Sequence, residues 1–181
     1  MAAKRYHSPK DYLDAAKSPE TPSPELEALA RSAYDFVQIA VARHPHVTPE
    51  ILASLVPAKV ESWNEQELAA VLAQDPKTPV EALHKLAEKL VPVLNHGRGN
   101  DNGLRAGVNL CCNANAPLEA IKKVLNPDEV SVHLRKAVAR ETERKDVLKL
   151  LLGDRSEAVR KRAHERLEKI NRADADMPTH V

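Results

Sequence analysis

The chain reads as an all-α solenoid of about five short helical-pair repeats, and three observations carry that reading. A phrase made of a small apolar helix tail, a polar stop and a helix-opening proline recurs along the sequence, as in Val41-Ala42-Arg43-His44-Pro45-His46-Val47-Thr48-Pro49 and Leu72-Ala73-Gln74-Asp75-Pro76-Lys77-Thr78-Pro79. Two weaker copies follow at Leu110-Cys111-Cys112-Asn113-Ala114-Asn115-Ala116-Pro117 and at Val138-Ala139-Arg140-Glu141-Thr142-Glu143-Arg144-Lys145. The openers at 49, 79, 117 and 145 are 30, 38 and 28 residues apart, room for two short helices and their turns. Apolar residues make up 43% of the chain, yet only Tyr6, Tyr12, Tyr34, Phe36 and Trp63 are aromatic, so the core must be built from Leu, Val, Ile and Ala.

The elements follow in order. Ser8-Pro9 opens a short leading helix through Tyr12 and Leu13, and the three prolines of Pro19 to Pro24 forbid helix beyond it. The first unit starts at Ser23-Pro24-Glu25 with Leu26, Leu29 and Ala30 on one stripe; its second helix places Phe36, Val37, Ala40 and Val41 inward. The second opens at Thr48-Pro49, where the threonine hydroxyl accepts from a free backbone amide and the proline needs no donor, with Leu52 and Leu55 inward. Ser62-Trp63-Asn64-Glu65 has capping-box spacing before Leu68, Val71 and Leu72, and Thr78-Pro79-Val80-Glu81 repeats the device before Leu83, Leu86, Leu90 and Leu94. Three of the five glycines then fall in Asn95 to Gly103, which reads as a mobile surface loop inserted before Ala106, Val108 and Leu110.

The fourth unit runs from Pro117 through Ile121, Val124 and Leu125, breaks at Asn126-Pro127, and resumes with Val130, Leu134, Ala137 and Val138. The last uses Val147, Leu148, Leu151 and Leu152, turns at Gly153-Asp154, and closes on Val159, Ala163, Leu167 and Ile170. This closing helix has one apolar stripe and is otherwise charged, as a terminal cap requires. The expected division is a tail and leading helix over 1–17, one repeat domain over 18–171, and a disordered tail over 172–181.

The phrase Ala42-Arg43-His44-Pro45-His46-Val47-Thr48-Pro49-Glu50 and its copies resemble the variant leucine-rich repeat family over roughly residues 18 to 167. The resemblance implies short helical pairs, one helix often of 3₁₀ type, stacked without strands into a right-handed superhelix. The short period separates the chain from HEAT and armadillo arrays, whose helical-pair plan it otherwise shares. One member of that family carries an iron–sulfur cluster on a separate cysteine-rich segment. Nothing here matches that segment, so no cofactor is carried over.

Composition narrows the function. With 27 basic against 26 acidic residues, formal +1, bulk electrostatics does not select the partner. No 18-residue apolar run or signal-peptide start occurs, and two adjacent cysteines form no disulfide framework, so a soluble, cytoplasmic protein is expected. Cys111 and Cys112 diverge by about 100° on a helix and read as packing residues rather than a redox pair. His44 and His46 flank Pro45 without a third ligand, and no metal is expected. His44, Asp75, Asn113 and Glu141 share one repeat position, where the helix must stop; there Asn and Asp tolerate the left-handed conformation. Gly97-Arg98-Gly99-Asn100-Asp101-Asn102-Gly103 follows no strand and precedes no Gly-Lys-Ser, so it is not read as a phosphate loop.

What remains is a surface. Arg43, Arg105, Asn109, Arg135, Arg140, Arg160 and Arg162 recur on helices that would line one side of the superhelix and form the candidate partner-binding set. Interleaved Glu141, Glu143, Asp154 and Glu157 allow the plainer reading of a salt-bridged, solvated face. The expected function is therefore a non-enzymatic scaffold for a protein or peptide partner on its concave surface. The alternative is a nucleic-acid-binding solenoid with phosphate contacts through the arginines, although no aromatic follows Trp63 to stack on bases. An enzyme stands third, because no catalytic constellation stands out.

Overall fold

The computed structural model describes residues 6–95 and 102–175, and these fold entirely through helices, with no strand among them. Eleven helices follow one another: α1 (Pro9–Lys17), α2 (Ser23–Ala30), α3 (Asp35–Ala42), α4 (Pro49–Ser54), α5 (Trp63–Gln74), α6 (Val80–Leu94), α7 (Asn102–Cys112), α8 (Leu118–Val124), α9 (Val132–Glu141), α10 (Lys145–Leu151) and α11 (Glu157–Ala175). Packing runs two elements along as well as between consecutive helices. The odd-numbered helices α1, α3, α5, α7, α9 and α11 touch in sequence, as do the even-numbered α2, α4, α6, α8 and α10. The result is two facing rows of helices with the core between them.

That core is one continuous cluster. Leu52, Leu83, Ile121 and Leu148, one from each even helix after α2, are fully buried members of it, and Leu26 of α2 joins them. Burying such a side chain stabilises by about 1.5–3 kcal/mol, and none of these short helices persists alone in water. The expected inward residues of α5 to α10 are buried, with Val71, Ala137 and Leu152 only partly so. Gly107 lets α7 approach closely: a Cβ there would lie 3.0 Å from a Leu134 methyl and 3.2 Å from one of Leu94.

The outcome differs from expectation in four places. Phe36 is 41% exposed, and α3 buries Val37, Ile39, Val41 and Ala42 instead. Phe36 stacks on Tyr34 at 5.4 Å, Tyr34 meets Tyr12 edge-on at 5.9 Å, and Tyr12 meets Tyr6 at 4.5 Å, a chain of rings beside the core. The Ser62–Glu65 capping box forms as read, but the one at Thr78 does not. Pro79 is the cap residue there, so Thr78 lies outside the helix and its buried hydroxyl donates to the Leu72 carbonyl at 2.7 Å. Helix α11 continues to Ala175, past the boundary placed at 171. The expected loop at 95–103 lies mostly outside the described residues, and Asn102 and Gly103 already belong to α7.

The fourth difference concerns the helix stops. Asp75 has φ −72° and ψ 123°, so it is extended rather than left-handed. Its carboxylate accepts from the Lys77 amide at 2.7 Å. His44 Nδ1 takes the His46 amide at 3.1 Å, and Asn113 Oδ1 the Asn115 amide at 2.9 Å. The matching residue in the next copy is Thr142, whose hydroxyl takes the Arg144 amide at 3.2 Å; Glu141, assigned to this position from sequence, is the last helical residue of α9 and exposed. A side-chain acceptor two residues before a free amide is what these stops share.

Candidate functional site

Side chains at these stops also reach backwards. His44 Nε2 meets the Ser18 carbonyl at 2.8 Å, and because Nδ1 already accepts, Nε2 carries the proton. Lys77 Nζ reaches the Pro45 carbonyl at 3.1 Å, and Asn113 Nδ2 reaches Ala73 and Asp75 at 2.9 and 3.1 Å. Asn115 donates to Pro76 at 2.6 Å, and Arg144 Nη1 to both Asn113 and Ala116 at 2.7 Å. Each turn thus supplies side-chain donors to carbonyls of the turn before it. With both its ring nitrogens engaged, His44 is a structural side chain. No group of three or more His, Cys, Asp or Glu side chains among the described residues is placed to hold a metal ion.

The cysteines are equally quiet. Cys111 is buried and Cys112 half-buried, neither in a disulfide. Burial pushes the Cys111 thiol well above the ordinary cysteine range and raises that of Cys112, opposing thiolate formation. Cys111 packs in the core as Ala73 does two helices earlier.

The seven candidate surface residues separate into five environments. Arg43 and Arg105 both pair with Glu67, whose side chain is 18% exposed, so one carboxylate joins the C-terminal end of α3, α5 and α7. Asn109 donates to the Ala70 carbonyl at 2.9 Å and fastens α7 to α5. Arg160 is spent at the start of its own helix, with Nη1 on the carbonyls of Asp154 and Arg155 at 2.7 and 3.0 Å.

Arg135 does not belong to the surface at all. It is 2% exposed, its Nε donates to Asp154 Oδ2 at 2.7 Å, and its Nη1 donates to the Val130 carbonyl at 2.5 Å. Asp154, read from sequence as an interleaved surface acid, is its buried partner. The phase of a helix explains this: Arg135 and Arg140 are five residues, about 140°, apart and cannot share a face.

Arg140 and Arg162 are the pair that shares a cleft. They line an open cleft of about 570 Å³ between α9 and α11, with Ala158, Lys161, Glu165, Arg166 and Lys169. On α11, positions 158, 162, 165, 166 and 169 are three or four apart and form one stripe. Lys161, Arg166 and Lys169 were the residues missed from sequence; their i, i+3 and i+4 spacing was legible, but it reads equally as the wet side of a terminal helix. Arg140 pairs with Glu141 at 2.5 Å, and Arg166 pairs with Glu143 at 3.2 Å while its Nε holds the Thr142 carbonyl at 3.2 Å. Five cations therefore line the cleft against one lining carboxylate, Glu165, with two further carboxylates paired at its rim. At the opposite end of the odd row a cleft of about 390 Å³ is lined by Phe36, Ile39, Ala40, Pro45 and neighbours, and its Arg43 is already paired with Glu67. A chain of formal charge +1 thus gathers its basic excess between α9 and α11.

No protein-family model and no curated protein matches this sequence. Among solved structures, the crystal structure of an engineered protein is similar at 20% identity over 90% of each chain, with a TM-score of 0.42.

Proposed function

We propose that this chain is a non-enzymatic helical-repeat scaffold that holds a protein or peptide partner on the exposed side of its odd-numbered helices. In this reading α2 to α11 are five helical-pair repeats forming a right-handed solenoid of the variant leucine-rich repeat kind, working in the cytoplasm. What supports the repeat reading is the backward reach of successive turns, at intervals of about one repeat, together with contacts two elements along. The free cysteines suit a reducing compartment.

The observation that carries the functional reading is the α9–α11 cleft. It is an open groove rimmed by long charged side chains, a shape suited to another chain's surface rather than to enclosing a small molecule. The test is capture from lysate with the tagged full chain, identification of the bound protein, and a hydrogen-exchange footprint of the purified complex. A bound protein that protects α5, α7, α9 and α11 supports the scaffold. Protection confined to the even helices overturns the assignment of the face. Capture that disappears on nuclease treatment transfers the chain to the nucleic-acid reading.

A further inference from the structure

We propose, building on the scaffold reading, that the α9–α11 cleft recognises a carboxylate-rich peptide segment of about five extended residues. The length comes from the cleft itself. Its α11 wall runs from Ala158 to Lys169, which at 1.5 Å per residue is roughly 16 Å, the span of about five residues of extended chain.

The chemistry comes from the state of its cations. Lys161, Arg162 and Lys169 make no side-chain hydrogen bond or ion pair among the described residues, so their full charge faces the cleft. Arg140 and Arg166 are paired, but with exposed carboxylates: the Glu141 and Glu143 side chains are 45% and 84% exposed. Solvent-exposed pairs of this kind are weak and exchange readily for an incoming carboxylate. Arg166 is already oriented by the Thr142 carbonyl, so less side-chain freedom is lost when it binds.

A nucleic-acid strand fits less well. Its phosphates would pass the carboxylates of Glu141, Glu143 and Glu165, and no aromatic side chain lines the cleft to stack on a base. A peptide can place its carboxylates between those acids and offer a backbone amide or a lysine to Glu165.

Fluorescence polarisation tests this with a labelled octapeptide of Asp and Glu, the matching Asn and Gln octapeptide, and an eight-nucleotide oligothymidylate. The proteins are the full chain, the double variant Arg162→Glu with Lys169→Glu, and the charge-matched control Lys122→Glu with Lys149→Glu on the even row. The acidic peptide should bind the native chain and the neutral peptide should not. The cleft variant should lose about tenfold or more in affinity and the control less than about twofold, with binding that weakens as salt rises. Lys161→Glu alone repeats the measurement should the double variant fail to show native circular dichroism. Equal losses in both double variants, no loss in the cleft variant, or tighter binding of the oligothymidylate would each overturn the proposal. A captured protein that footprints on the odd helices and ignores the cleft substitutions would leave the scaffold standing and remove the acidic-peptide site.

Discussion

Replacing Arg135 with Met should strongly destabilise the fold, and the structure sets its size. The substitution preserves most of the side-chain length but removes the bonds from Nε to Asp154 Oδ2 at 2.7 Å, from Nη2 to Asp154 Oδ1 at 3.4 Å and from Nη1 to the Val130 carbonyl at 2.5 Å. Asp154 is left with its side chain 4% exposed, no countercharge, and one remaining donor, the Ser156 amide at 2.8 Å. Removing one member of a buried pair costs about 3–5 kcal/mol, because the other charge stays desolvated and uncompensated. At roughly 2–4 °C per kcal/mol for a chain of this size, Tm should fall by about 6–20 °C. Asp154→Asn retains an oxygen for Ser156 and discards the charge, so adding it to Arg135→Met should restore at least half of the loss. Urea unfolding followed by circular dichroism at 222 nm, checked by calorimetry, measures all three variants. A cost below about 1 kcal/mol for Arg135→Met, or a double variant no more stable than the single, would show that burial of the pair is not what sets its energy.

Thr78→Val keeps the shape but leaves the Leu72 carbonyl without its hydroxyl donor, and should cost about 1 kcal/mol in urea unfolding; the site itself accepts the shape, since the corresponding residue in the preceding copy is the buried Val47. Asn113→Ala removes two donors and one acceptor from a residue 6% exposed and should cost about 2–3 kcal/mol by the same measurement, with Asn113→Asp no better because the donors are still lost. Glu65 is held below the ordinary glutamate range, chiefly by the Ser62 amide, so its contribution is complete above that range and lost as pH falls through the folded-state value. Glu65→Gln should therefore be less stable than the native chain near neutrality, and the gap should close on acidification below about pH 4.5; a gap that widened would reverse the sign.

Much of the fold was legible because its signals are local. Proline openers located α4, α6 and α8, and the copied phrase with its apolar spacing located α10, each within a residue, and Leu52, Leu83, Ile121 and Leu148 lie in one core as their spacing required. The errors arose where one sequence pattern serves two geometries. Ser62 and Thr78 both precede a Glu by three residues, but Pro79 fills the cap position after Thr78 and shifts the helix start by one residue, turning a capping threonine into a buried cross-link. Glu141 and Thr142 differ by one position in the same way. Only the identity of the amide acceptor, a property of the folded turn, decides between them. Helical spacing grouped Phe36 with Val37, Ala40 and Val41, but the phase of α3 turns Phe36 outward and buries Ile39.

The site was harder to read because charge belongs to a residue while a surface belongs to a set of helix phases. Arg160 and Arg162 are two residues apart, about 200° around one helix, so at most one can look into a given cleft. Arg162, Arg166 and Lys169 fall within about 60° of one another, and they are the ones that meet Arg140. The fold then connects this cleft to the ladder of turns. Each turn leaves carbonyls that the following turn's side chains satisfy, and at Thr142 that donor is Arg166, from the helix that ends the described chain. The same guanidinium that closes the ladder therefore also lines the cleft, with its Nη2 on Glu143 and its position set by the backbone. A terminal helix needs a polar exposed side for solubility alone, but it does not need an arginine fixed in this way beside three cations that make no pair. That arrangement separates a preorganised anion site from a surface that is only wet.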